Sequence, residues 1–438
     1  MRTRALSSSI LALILLAACT SPGAERKAEP SRSGEARRQP SRTIAASASA
    51  SGPVDPARIS VQSSDAAWTD AIDAAVDGRD VSVAVGIDGR IVHSHLGRVP
   101  RVPASNQKLL TSMAALATWD PSFRFATIAM AAEPLVGGVV RGDLWIVGSG
   151  DPEISAASMA RLATRLHAAG LTRVRGSVVG DTSAFTREWW APGWVPGLSR
   201  SYVNRATALA FEGNAGSSPE AQAAAALTAA LESRGVEVAG DPAAASLDAA
   251  APGLSDGATD LTPLARISSP PLRDLLTIQN HGSVNFYAEM LLKALGAHAT
   301  DAAGSTAAGA LAVERWADGW GVEAQVRDGC GLSHGDRVST HGVVSMLLLA
   351  LREPWASVFV ESLPGPGDGT VGDRLIGLPV RAKTGTLFET PVSSLGGYVT
   401  DANGSTVAFS VMSRGLDKAT AASIEDEIVR ILADADIG

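Results

Sequence analysis

Three short polar patterns stand in order along this 438-residue chain: Ser105-x-x-Lys108, Ser283-x-Asn285 and Lys383-Thr384-Gly385-Thr386. Each occurs once. The first two open apolar runs of near-helical spacing, and the third continues a strand-like run from Leu378 to Ala382. To use all three at one place, the fold must bring two helix starts beside one strand. It must also absorb a long detour, since the chain runs from 105 to 283 between the first two patterns. That demand constrains the architecture more tightly than composition does.

Each pattern alone has an ordinary structural reading. Pro103-Ala104 lead into a helix carrying Leu109, Leu110, Met113 and Leu116. Ser105 and Lys108 are three apart and share one face of it. A capping serine followed by a surface lysine fits that pattern. Ser283 fits a helix cap with Asn285 in the first turn. Lys383 fits an edge strand guarded by a lysine. Read together, the patterns point to chemistry. A helix N-terminus offers unpaired N–H groups and favours developing negative charge. A hydroxyl beside an amine there is a candidate activated nucleophile. Lysine is scarce, at Lys27, Lys108, Lys293, Lys383 and Lys418 only, and two of these fall inside the patterns.

Net charge is −8, so nothing points to a nucleic-acid binder. The hydrophobic content of 45% supports a globular core, and the length allows more than one folded unit. Arg2 and Arg4 precede an apolar stretch from Ile10 to Ala18 that is too short to span a bilayer. Residues 1–18 therefore read as an export signal. Leu16-Ala17-Ala18-Cys19 resembles the lipobox of bacterial lipoproteins. That resemblance implies cleavage before Cys19, lipidation of its thiol and a membrane tether. A plain secretory signal with a chance cysteine is the alternative. With Cys19 lipidated, the other cysteine, Cys330, has no disulfide partner and reads as a small packed residue. Residues 19–57 read as the lipidated cysteine and a Ser-, Ala-, Pro- and Arg-rich linker.

Downstream, Trp68 to Val76 suits a short helix. Val81 to Ile87 and Arg90 to His95 suit a hairpin turning at Asp88-Gly89. His93 and His95 share a strand face and, with no third ligand in view, read as a surface pair rather than a metal site. The texture changes at Phe125. Strands are expected at 125–130, 144–147 and 174–179, with helices at 156–169 and 220–234. Residues 124–250 thus read as an inserted α/β unit, and 239–262 as its return linker. Helical character resumes near Pro271 and breaks at Asn280-His281-Gly282 before the Ser283 helix. A helix over 340–351, strands over 393–400 and 406–412, and a closing helix over 419–433 complete the chain.

The three patterns resemble those of the penicillin-recognising serine enzymes, S-x-x-K, S-x-N and K-T-G. Gly148-Ser149-Gly150-Asp151-Pro152, Gly180-Asp181-Thr182-Ser183-Ala184-Phe185, Ser283 to Glu289 and Asp328-Gly329-Cys330-Gly331-Leu332-Ser333 narrow the resemblance. They are similar to segments of the D-alanyl-D-alanine carboxypeptidase/endopeptidase family, the class C low-molecular-mass penicillin-binding proteins (PBP4/DacB-like, peptidase S13). The likeness covers most of the chain beyond about residue 60. It implies an α/β (α+β) transpeptidase fold of the penicillin-binding-protein/β-lactamase type. In that fold an antiparallel sheet is flanked by helices, beside a helical subdomain. The DD-peptidase domain would be residues 58–123 and 251–438, with the inserted unit between them. The detour is shorter than in the family's larger members, so one of the usual two inserted subdomains is expected to be missing or reduced. Cys330 stands where the family usually has serine, and Val284 where aspartate is common.

The expected chemistry follows. A serine hydroxyl needs a base to attack an acyl carbon, and Lys108 is adjacent. Burial and a second cation, Lys383, lower a lysine's pKa toward the useful range. Ser283 could pass a proton to the departing amine, and Asn285 could hydrogen-bond a substrate amide and fix Lys108. Backbone N–H groups of Ser105 and Thr386 would hold the oxyanion. Thr384, Gly385 and Thr386 would take a terminal carboxylate. The expected catalytic residues are thus Ser105, Lys108, Ser283, Asn285 and Lys383, with no metal or cofactor. The expected partners are peptidoglycan stem peptides and β-lactam antibiotics, on the extracytoplasmic face of the bacterial membrane or in the periplasm. The alternatives are a serine β-lactamase and a non-catalytic cell-wall lipoprotein on the same fold. The first is disfavoured by the long insertion and by the lack of an E-x-x-x-N loop after Asn285.

Overall fold

The computed structural model describes residues 67–195, 197, 199–247 and 261–438. The export signal at 1–18, Cys19 and the linker at 19–57 lie outside the described residues, as does part of the return linker.

One sheet is fully antiparallel. Its strand order is Val380–Leu387, Val392–Thr400, Thr406–Arg414, Val81–Ile87 and Arg90–His95. The three central strands are buried on both faces, which explains their near-continuous apolar character. Ala67–Val76 and Lys418–Asp434 cover one face. Ile72 and Val76 of the first, with Ile424, Ile428 and Leu432 of the second, meet Val83, Val85, Leu395 and Val411 of the sheet. Thr340–Ala350 lies on the other face, and a larger core of helices continues from it: Gln107–Thr118, Leu272–His281, Asn285–Thr300 and Thr306–Gly319. His93 and His95 both turn toward Asp73 Oδ1, at 3.3 and 3.2 Å, so the strand pair meets a carboxylate of the first helix.

The detour forms a second five-stranded sheet, in the order Thr262–Ser268, Ala126–Ala131, Leu144–Gly148, Val178–Asp181 and Ala243–Ala245. Ala156–Ala168 and Pro219–Glu232 pack together over it, burying Met159, Leu162, Leu166, Ala223, Leu227 and Leu231. Ser155 caps the first of these helices by accepting from the Ser158 N–H. Three two-residue strands make a small parallel sheet.

Two sequence expectations change here. The strand expected over 174–179 is split: Arg173–Val174 joins the small sheet and Val178–Asp181 the large one. The break is held by Gly176 N–H donating to the Gly142 carbonyl at 3.0 Å and Ser177 N–H to Asp143 Oδ1 at 2.8 Å. Thr262–Ser268, expected beyond the return at 250, pairs instead with Ala126–Ala131. Pro263 hid this strand, because proline cannot donate to a ladder; it sits where the register shifts.

Candidate active site

The Ser105 turn is short and tight. Ala104–Asn106 is a single 3₁₀ turn that runs into the helix Gln107–Thr118. Ala104 adopts a left-handed backbone, φ 47°, just ahead of the serine. The helix is buried from Gln107 to Leu116, so Lys108 lies wholly inside the protein. A fully buried ammonium needs partners, and Lys108 Nζ has three acceptors. They are Ser105 Oγ at 3.0 Å, Asn285 Oδ1 at 2.7 Å and the Cys330 carbonyl at 2.8 Å.

Ser283 and Asn285 come from the start of the next buried helix, Asn285–Thr300. Ser283 also has a left-handed backbone, φ 51°. A non-glycine residue held there costs free energy and tends to occur where function requires it. Asn285 Nδ2 donates to the Tyr202 carbonyl at 3.0 Å, which orients the amide so that Oδ1 faces Lys108.

The strand Val380–Leu387 brings the third pattern alongside. Its approach depends on Gly385: a Cβ there would lie 2.9 Å from the Ser105 nitrogen and 3.0 Å from the Pro103 carbonyl oxygen. Ser394, paired with Gly385, donates from Oγ to that same Pro103 carbonyl at 2.7 Å. Lys383 is fully buried and donates to the Thr384 carbonyl at 2.9 Å. Thr384 Oγ1 donates to Thr370 Oγ1 at 2.7 Å. Ser105, Ser283, Asn285 and Thr386 line one cleft together with Trp194 and Tyr202. The three patterns therefore converge. Lys108 and Lys383 sit behind the cleft wall rather than on it.

Burial depresses the pKa of Lys108, while the Cys330 thiol and the Asp328 and Glu289 carboxyls oppose the shift. Burial also holds Lys383 well below the ordinary lysine value, reinforced by the charges of Lys108 and Lys418. The site thus contains an amine that gives up its proton more readily than an exposed lysine does.

Several contributors carry no signal in the three patterns. Asp328 accepts from Gly331 N–H at 2.6 Å, Ser333 N–H at 2.8 Å and Trp194 Nε1 at 2.5 Å. Glu289 accepts from Gly329 N–H at 2.8 Å. Burial, then the nearby Asp328, pushes the Glu289 carboxyl up to about 8. Gly331, with φ 86°, lies so close to the Ala104 carbonyl that no side chain fits. Cys330 is completely buried and its thiol is pushed above the usual range, so it is a packed residue beside Lys108.

Residues 65–214 and 209–435 match the D-Ala-D-Ala carboxypeptidase 3 (S13) family. The chain belongs to that family. It is a serine-type D-Ala-D-Ala carboxypeptidase of the class C penicillin-binding-protein group. It is 29% identical over 456 residues to a D-alanyl-D-alanine carboxypeptidase of Actinomadura sp., covering 83% of this chain and 82% of that protein. A carboxypeptidase of Mycobacterium tuberculosis is 28% identical over 354 residues, covering 75% and 74%. The crystal structure of penicillin binding protein 4 from Haemophilus influenzae superposes with a TM-score of 0.70 at 20% identity, over 84% of this chain and 100% of that one. The S13 carboxypeptidase therefore has the fold expected from sequence, an antiparallel sheet between helices with an inserted α/β unit.

Proposed function

We propose that this S13 carboxypeptidase cleaves the terminal D-Ala-D-Ala bond of peptidoglycan stem peptides through an acyl-enzyme on Ser105. The observation that carries the reading is the three-way environment of Lys108 Nζ. A neutral amine has two N–H groups and one lone pair. With Asn285 Oδ1 and the Cys330 carbonyl taking the two N–H groups, the lone pair faces the Ser105 hydroxyl. Lys108 then acts as general base for attack on the acyl carbon. Burial is what lowers the pKa of Lys108 and makes its neutral form accessible.

The remaining roles follow from position. The Ser105 and Thr386 backbone N–H groups receive the oxyanion. Ser283 returns the proton to the leaving D-alanine nitrogen. Asn285 meets the substrate amide. Thr384, Gly385 and Thr386, backed by Lys383, take the free terminal carboxylate, which favours cleavage next to a C-terminal residue. Water then deacylates Ser105. Cross-linked peptides that present the same bond are candidate endopeptidase substrates.

β-Lactams present a strained amide in place of that bond and should acylate Ser105. A penicillin binding protein 4 structure from Haemophilus influenzae holds a β-lactam. The substrate places the working enzyme outside the cytoplasm, and the Cys19 lipobox would tether it to the membrane. No helix among the described residues is long and apolar enough to cross a membrane. Mass spectrometry of the mature N-terminus tests the tether: an unmodified terminus at another residue ends it.

The deciding experiment is labelling with a fluorescent penicillin followed by peptide mapping. Label at Ser105, and D-alanine release from a stem pentapeptide that Ser105→Ala abolishes, are expected. Absence of label at Ser105 overturns the mechanism.

A further inference from the structure

Two of the three acceptors around Lys108 are held by residues that arrive from the inserted part of the chain. Asn285 is fixed through Nδ2, which donates to the Tyr202 carbonyl at 3.0 Å. The Cys330 carbonyl is fixed through its loop. Asp328 Oδ1 accepts from Gly331 N–H at 2.6 Å, and Asp328 Oδ2 from Ser333 N–H at 2.8 Å. The second oxygen also receives Trp194 Nε1 at 2.5 Å. Glu289 anchors the other side of the loop through Gly329 N–H at 2.8 Å. Around Trp194 the contact is reinforced, since Ser333 Oγ donates to the Pro192 carbonyl at 2.6 Å and His334 N–H to the Gly193 carbonyl at 3.3 Å.

Asp328 is fully buried, and its carboxyl is saturated by donors from two parts of the chain. A buried carboxylate stripped of one donor is left short of a partner and shifts to recover one. Its movement would carry the Gly329–Gly331 backbone and therefore the Cys330 carbonyl. The nucleophile's turn would feel the same shift, because Gly331 lies directly against the Ala104 carbonyl.

We infer that Trp194 is a positioning residue for Lys108, acting through Asp328 and the Cys330 carbonyl, so that the inserted part of the chain sets the geometry of the base. The inference rests on the reading of Lys108 as base for Ser105. Trp194→Phe is the test, because it keeps an aromatic ring in the cleft wall while removing the Nε1 donor along with one ring of the indole. Thermal unfolding of the variant checks that it is folded. The measurement is the second-order rate of Ser105 labelling by a fluorescent penicillin from about pH 6 to pH 10, together with kcat and KM on a stem peptide.

The variant should acylate at least about tenfold more slowly, with kcat falling and KM little changed. Its acid limb should move to higher pH, because the Asp328 carboxyl, which faces Lys108, Asp336, Glu289 and Cys330, loses the offsetting Trp194 N–H dipole, so its field favours the ammonium of Lys108 more strongly. Asp328→Asn, which keeps the size and loses the charge, should move the limb the opposite way. Wild-type protein labelled at Ser105 and a Trp194→Phe variant with the same rate and profile would overturn the inference alone. A change confined to KM would also overturn it. Wild-type protein without label at Ser105 would overturn the acyl-enzyme reading and the inference with it.

Discussion

Lys108 and Asn285 stand 177 residues apart in sequence and share a 2.7 Å hydrogen bond that runs from a fully buried amine to a half-buried side chain on the cleft wall. The bond ties the first helix of the site to the second. It also decides which way the lysine points, since among the described residues the other acceptors of Nζ are Ser105 Oγ and the Cys330 carbonyl.

Lys108→Arg should lower acylation of Ser105 by about 10²–10⁴-fold, the usual range for loss of a positioned general base. The guanidinium keeps the charge but does not release a proton near neutral pH. Stopped-flow or gel-based labelling with a fluorescent penicillin measures it. A variant within about twofold of wild type would remove Lys108 from the base role.

The acid limb of kcat/KM should lie below the ordinary lysine value of 10.5, because burial lowers the pKa of Lys108 and the proposed mechanism uses its neutral amine. Activity therefore rises as pH climbs through the depressed pKa. D-alanine release from a stem peptide across pH shows the limb directly, and Lys108→Arg should abolish it.

Gly385→Ala should impair both folding and acylation. The new Cβ would press on the Ser105 nitrogen and the Pro103 carbonyl, both main-chain atoms that cannot turn aside. Overpacking of this kind costs about 1–3 kcal/mol, which a denaturation midpoint reports. Acylation should fall further than stability predicts, because the strand would be pushed off the Ser105 turn.

Glu289→Gln should flatten the pH dependence of stability. The unfolded chain ionises this group near 4.5, whereas the folded protein holds the proton up to about 8. Wild-type stability therefore declines, on account of this group, as pH rises from about 4.5 to about 8. Glutamine keeps an acceptor for Gly329 N–H and has no proton to lose. Urea midpoints at several pH values should show the wild-type slope reduced in the variant.

Arg374→Ala should destabilise the protein by about 3–5 kcal/mol. Arg374 bridges Glu425 at 2.8 Å and Asp426 at 2.7 Å, and Glu425 is almost completely buried. Glu425 also receives Ser393 Oγ at 2.7 Å, behind the strand that carries Lys383. Loss of the arginine leaves a buried carboxylate without its cation. Denaturant unfolding measures the drop, which Glu425→Gln in the same chain should partly reverse.

The residues of the three patterns were legible in the sequence because each combines a rare side chain with a local periodicity. Ser105 and Ser283 open apolar helical runs, and Lys383 extends a strand. Most elements of the main sheet were legible for the same reason, since their apolar runs are bounded by turn residues such as Asp88-Gly89. Thr262–Ser268 was not, because Pro263 and half-buried positions blur the strand pattern. Thr306–Gly319 was not either: its alanines and glycines bury against a neighbouring helix without forming a strong apolar stripe.

Local sequence determined the Ser105 helix, Lys108 three residues on, the second helix start and the strand, because helical and strand periods are properties of neighbouring residues. Only the tertiary structure decided what holds Lys108. Asn285 and the Cys330 carbonyl face Lys108 through contacts with Tyr202, Trp194, Asp328 and Glu289. Those contacts join segments far apart in sequence, and no periodicity records them. They exist because a buried amine and two buried carboxyls must each find polar partners once water is gone.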